Sequence, residues 1–197
     1  APQAADARPR WISFGVLGGS TQPDAALADY QWSATPEFGW GAQALVGLGP
    51  LAGGVRGWRT GTDQALGVSG APATTRVTET SWELVGRGRL ASFWGTEMFA
   101  SASAGRLALH FDPDRIQVAT SGGPVEVTFA PIAEWIGGGG MSFTRPLAAS
   151  WRLGLEFERR FFSLDTAHRS GTAIVESREG FGDWSARFEV ARVMEWR

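Results

Sequence analysis

The sequence predicts an all-β fold, an eight-stranded antiparallel up-and-down transmembrane β-barrel, and three observations lead to it. Apolar and polar residues alternate at period two over eight segments of roughly 10–18 residues, longer than the 5–6 typical of soluble strands. The links between these segments alternate long and short without a miss. Tryptophan collects on one face of the alternation and charge on the other.

The first segment, RWISFGVLGG (10–19), sets Ile12, Phe14 and Val16 against Ser13 and Gly15. The second, EFGWGAQALVGLG (37–49), sets Phe38, Trp40, Ala42 and Val46 against Glu37, Gly39, Gly41 and Gln43. The third, LAGGVRGWRTG (51–61), alternates least regularly. The fourth, TRVTETSWELVGRGRL (75–90), puts Trp82 and Leu84 opposite Glu79, Ser81, Glu83 and Arg87. The fifth covers about 92–109, with Trp94, Met98 and Ala100 opposite Glu97, Ser101 and Ser103. The sixth, VEVTFAPIAEWIGGGGMSF (125–143), alternates Val125, Val127 and Trp135 with Glu126 and Glu134. The seventh, SWRLGLEFERRFF (150–162), is the clearest: Trp151, Leu153, Leu155, Phe157 and Phe161 against Arg152, Glu156, Glu158 and Arg160. The eighth is WSARFEVARVMEW (184–196).

Tight joins are expected at Gly49-Pro50, near Leu90-Ala91 and at TRPLAA (144–149). Long loops are expected at 20–36, 62–74, 112–124 and 164–180. Short turns on one side and long loops on the other are the arrangement of an up-and-down barrel in an outer membrane, where the turns are periplasmic.

A strand sends alternate side chains to opposite faces, so each face must have its own solvent. The apolar series carries Trp40, Trp82, Trp94, Trp135, Trp151, Trp184 and Trp196. Seven indoles are too bulky for the lumen of an eight-stranded barrel, which just accommodates its side chains. Turned outward they become interfacial belts against lipid. The inward series is then a lumen charge network of Arg56, Glu79, Glu83, Arg87, Glu126, Arg152, Glu156, Glu158, Arg160 and Arg187. The competing reading is a soluble ligand-binding barrel, in which the charges face water and the apolar series fills the inside.

Composition narrows the classes. The 197 residues fit one domain, expected over 10–197 behind a flexible stretch at 1–9. The 27 glycines and 10 tryptophans suit short-turn β architecture. A net charge of −2, with every basic residue an arginine, argues against a nucleic-acid partner. The absence of cysteine excludes disulfides and thiolate chemistry. No apolar run of about 18 residues exists, so no transmembrane helix is expected. The opening APQAADARPR reads as a mature N-terminus at Ala1, left by signal-peptide cleavage during export from a Gram-negative cytoplasm.

Near the C-terminus Phe188, Val190, Met194 and Trp196 share one face, broken by Arg192 and followed by Arg197. This resembles the terminal-strand signal of bacterial outer-membrane barrels. With the Gly- and Pro-rich stretch 129–162, the pattern resembles the eight-stranded outer-membrane barrel family that includes the transmembrane domain of OmpA. The resemblance implies an outer-membrane location, a lipid environment and often no catalytic activity.

Chemistry finds little support. His168-Arg169-Ser170 has the spacing of a deacylase dyad, and Ser163, Asp165 and His168 form a loose triad of types, but both fall in an expected loop. The run Gly137–Gly140 lacks the following Lys-Ser/Thr of a phosphate loop and reads as a smooth strip of wall that would admit a partner closely. No catalytic, cofactor or metal residue is therefore expected. The role expected is structural or interactive, through the loops or that wall; a lipid-modifying or proteolytic barrel enzyme is the alternative.

Overall fold

The computed structural model describes residues 10–68, 71–170 and 173–196, without the side chains of 68, 71, 72, 167–170, 173–175 and 196. Ten strands follow in chain order: β1 Arg10–Gln22, β2 Glu37–Leu48, β3 Leu51–Val68, β4 Ala71–Phe93, β5 Thr96–Asp112, β6 Arg115–Thr120, β7 Gly123–Thr128, β8 Ile132–Ala148, β9 Trp151–Ser170 and β10 Ala173–Trp196. Eight of them close a barrel in the order β1-β10-β9-β8-β5-β4-β3-β2, every pairing antiparallel, while β6 and β7 form a separate hairpin. Closure occurs where Arg10 meets Trp196 and Gln22 meets Trp184, so the barrel itself has no edge strand.

The barrel is inside out relative to a soluble protein. Trp82 is 68% exposed and Trp40 58%, while Arg56, Arg160 and Arg187 on the other parity are 0% exposed. Val16, Leu84, Phe157 and Phe188 join the tryptophans outside; Ser81, Glu83, Glu156 and Glu158 join the arginines inside. A continuous apolar exterior of this kind is stable only against lipid. Trp135, Trp151 and Trp184 also face outward. Trp94 does too, but from a turn rather than a strand; the Trp196 side chain lies outside the described residues.

Four expectations need correction. The join placed at Leu90-Ala91 lies at Trp94-Gly95, where both residues have positive φ (48° and 76°), the geometry that matches a two-residue hairpin to strand twist and suits glycine. The sixth segment is two strands: Pro131 has no N–H for the ladder, and the β5 partners begin only at Ile132. Glu126, Val125 and Val127 therefore belong to the β6–β7 hairpin beyond the barrel, and Glu126 accepts a hydrogen bond from Gln117 there, not in the lumen. Finally, 62–74 and 164–180 are for the most part not loops, and 112–124 holds β6 and the start of β7. Paired Thr and charged residues carry β3–β4 to Val68↔Ala71 and β9–β10 to Ser170↔Ala173, with cross-strand pairs such as Arg76–Asp63 (3.1 Å) and Arg178–Asp165 (2.9 Å).

The tight joins 49–50, 94–95 and 149–150 share one end with Arg10 and Trp196. The other end carries the two long hairpins, the β6–β7 hairpin and a 3-10 helix, Ala25–Tyr30, within the β1–β2 connection. Asp24 pins that helix: its Oδ1 accepts from the Ala26 N–H (3.0 Å) and its Oδ2 from the Gly182 N–H of β10 (2.8 Å). Leu27 is thereby driven into the barrel mouth, where it is buried.

The outward assignment of β9 has a direct test. Leu155→Arg places a guanidinium near the bilayer midplane and is expected to cost about 2–4 kcal/mol of stability in lipid, read from urea unfolding in vesicles. Folded wild type should migrate faster than boiled protein on a gel, and the variant should show a reduced folded band.

Candidate functional site: a sealed lumen under a capped mouth

The inward parity fixes what fills the barrel, and its chemistry changes with height. Along β10 from the tight-turn end it runs Val193, Ala191, then Glu189, Arg187, Asp183, then Phe181. Along β5 it runs Phe99, then Ser101 and Ser103, then Leu107 and Leu109. The lumen thus has an apolar floor, a charged waist and an apolar plug.

The waist centres on Arg56 of β3. Its Nη1 donates to Glu156 (2.5 Å) and its Nη2 to Glu83 (2.5 Å) and Glu158 (2.6 Å). Arg187 donates from Nη1 to Glu158 (2.5 Å) and Glu156 (3.3 Å). Arg87 reaches Glu156 (2.6 Å), Glu189 (3.5 Å) and the amide oxygen of Gln43 (3.1 Å). Above them Arg160 holds Asp183 through two nitrogens (2.8 and 2.6 Å) and Glu79 at 2.5 Å. Four guanidiniums face six carboxylates, and neutral donors take part of the surplus: Ser81 donates to Glu83 and Ser103 to Glu158, both at 2.6 Å. Planar guanidiniums suit this work, since each spreads several donors over several acceptors.

Eight of the ten residues expected in the lumen network meet here. Besides Glu126, the exception is Arg152. It sits at the tight-turn end, stacked 5.1 Å over the Trp11 ring and 3.6 Å from Glu195, away from Glu156. Successive inward positions of one strand are stacked in height, so Arg152, four residues before Glu156, belongs to the floor rather than the waist.

Sequence reasoning missed three members. Asp183 lies one position before the eighth segment, Glu189 falls on that segment's polar face but outside the expected network, and Trp58 sits in the segment of weakest alternation. Trp58 is 1% exposed inside the lumen, its Nε1 donating to Thr21 (3.3 Å) and its ring 4.9 Å beneath the Arg187 guanidinium. Its signal was present across the ladder: a Cβ at Gly39 or Gly41 of β2 would collide with this ring. The run 137–140 is likewise split by parity. Gly137 and Gly139 face outward, whereas a Cβ on Gly138 would press on Glu158 and Ser103 at 3.0–3.1 Å.

Over the waist, Val77, Leu107, Leu109 and Phe162 pack with Leu27 from the cap. His110 points out of β5 and is exposed; the His168 and Ser170 side chains lie outside the described residues. On the cap, the Glu179 carboxylate beside the Tyr30 hydroxyl raises that phenol above its ordinary value.

The network predicts unequal costs. Arg56→Ala strands three buried carboxylates and is expected to cost about 3–5 kcal/mol. Arg152→Ala breaks a half-open pair and is expected to cost about 0–1 kcal/mol, both read as unfolding free energies in vesicles.

No family model and no curated protein matches the sequence. Solved structures do. The crystal structure of Neisserial surface protein A superposes with a TM-score of 0.58 at 9% identity, over 93% of this chain and 96% of that one. The solid-state NMR structure of the outer membrane protein AlkL in DMPC bilayers gives 0.50 at 13% identity, over 100% and 95%. Ail, the attachment invasion locus protein of Yersinia pestis, gives 0.43 at 12%, over 93% and 98%. Such identities speak for the fold. An apolar outer wall, tryptophan belts and a charged interior make the chain a small, eight-stranded transmembrane β-barrel, and its fold is that of the outer-membrane proteins with which it superposes.

Proposed function

We propose that the protein is a non-enzymatic, non-conducting barrel that works as a structural or interaction module, with the membrane-spanning part serving to hold an ordered external surface. The observation that carries this is the three-layer seal. Leu45, Ala52 and Phe99 close the floor, the ion-paired waist fills the middle, and the Leu27 plug closes the top. A guanidinium that holds three carboxylates at 2.5–2.6 Å packs the waist of a barrel whose lumen is only wide enough for its own side chains, which supports a closed interior. The material for interaction lies outside: the two long hairpins with their Arg–acid pairs, the β6–β7 hairpin, and the open strip at Gly137 and Gly139. With a net charge of −2, nucleic acid is not the partner this surface suits.

Planar-bilayer recording tests the seal. Reconstituted wild type should insert without stepwise conductance. Stable single-channel steps from folded protein would overturn the non-conducting reading.

A further inference from the structure

Above the plug the mouth of the barrel is not filled. A cavity of about 480 Å³ opens there to the external side, within the size range of small-molecule sites. Its walls come from the cap, β3, β5, the β7–β8 link, β8, β9 and β10. Five aromatic rings converge on it. Tyr30 stands edge-on to Phe181 (5.9 Å), Trp32 edge-on to Phe111 (6.3 Å), and Phe111 stacks on Phe129 (4.8 Å).

Lipid does not explain these rings. Phe111 lies five residues beyond Arg106, the partner of Trp135 in the outer belt, and Phe181 lies three beyond Trp184. Both are on the inward parity, so they face the bowl in a region bathed by water. Core packing explains them only in part: Phe181 belongs to the buried plug, and Tyr30, Trp32 and Phe111 each pack one side against it while still lining the open cavity. An apolar concavity left open to water is the usual sign of a ligand.

The polar groups at the rim define the ligand's head. Gln64 donates through Nε2 to the Tyr30 carbonyl (3.3 Å), while its Oε1 is buried without a hydrogen-bond partner among the described residues. An unsatisfied buried acceptor is costly, and a donor brought by a ligand would satisfy it. Asp29 adds a carboxylate at the rim, Asp165 being already paired with Arg178 (2.9 Å), and no arginine or histidine lines the cavity among the described residues. The site therefore offers acceptors and negative charge over aromatic walls, a combination that favours an amine.

We propose that the outer mouth is a binding site for a small apolar molecule carrying an amine head, its body among Trp32, Phe111 and Phe129 and its head toward Gln64 and Asp29. Because the plug lies directly below, the ligand enters and leaves by the same opening. The assignment does not depend on whether the waist conducts.

The test is a ¹⁹F NMR titration of 4-(trifluoromethyl)benzylamine against the barrel in phosphatidylcholine nanodiscs, with empty nanodiscs measuring lipid partition. The expected result is saturable one-to-one binding, with 4-(trifluoromethyl)benzoate weaker by about tenfold or more. Gln64→Leu should weaken the amine about fivefold. Trp32→Ala, checked for folding by gel migration, should weaken it about tenfold. A signal identical to empty nanodiscs, equal binding of amine and benzoate, or full affinity in folded Trp32→Ala would each overturn the proposal.

Discussion

Everything in this structure depends on one constraint: strand alternation that gives an apolar face to lipid must send the other face into a space too narrow for bulk water. Each polar side chain on that face has to find its partners among the others. The cluster around Arg56 is the solution, one guanidinium from β3 serving carboxylates from β4 and β9, with Arg187 from β10 and Arg87 from β4 completing it. Because the partners come from strands far apart in sequence, the network forms only when the ring closes. It therefore selects the register of the closed barrel as well as filling it.

The same logic explains what encloses the charges. Neutral hydroxyls from Ser81 and Ser103 complete the coordination where guanidiniums run short, and Trp58 gives Arg187 a polarisable face. Glycines opposite that indole keep the wall thin enough to hold it. Apolar layers above and below lower the local dielectric, which strengthens each pair. Where the inward residues turn apolar beyond the outer belt, the barrel changes from a plug to a bowl, and the cap on Asp24 decides how much of that bowl stays open.

The barrel was legible because period two is a local property: the parity of 150–162 fixes both faces of β9 without knowledge of its neighbours. The charged waist was legible for the same reason, through Arg56, Glu83, Glu156, Glu158, Arg160 and Arg187. What was not legible depended on pairing. Arg152 carries the right parity but the wrong height, and only the ladder reveals its neighbours as Trp11 and Glu195. The reach of β9–β10 beyond the membrane looked like loop because Thr, Ser, Asp and Arg suit both water-exposed strands and turns. The mouth cavity combines residues from seven parts of the chain, none of which carries a motif.

The most direct test of the central claim is a double-mutant cycle on Arg160→Met and Asp183→Leu, by reversible urea unfolding in lipid vesicles. These side chains pair through two hydrogen bonds in the buried waist, at 2.8 and 2.6 Å. If the interlocked charges hold the barrel, each single change should be strongly destabilising and the double change should lose less than their sum, with a coupling of about 2 kcal/mol or more. Additivity within about 0.5 kcal/mol would contradict the account, because the two residues would then be acting independently.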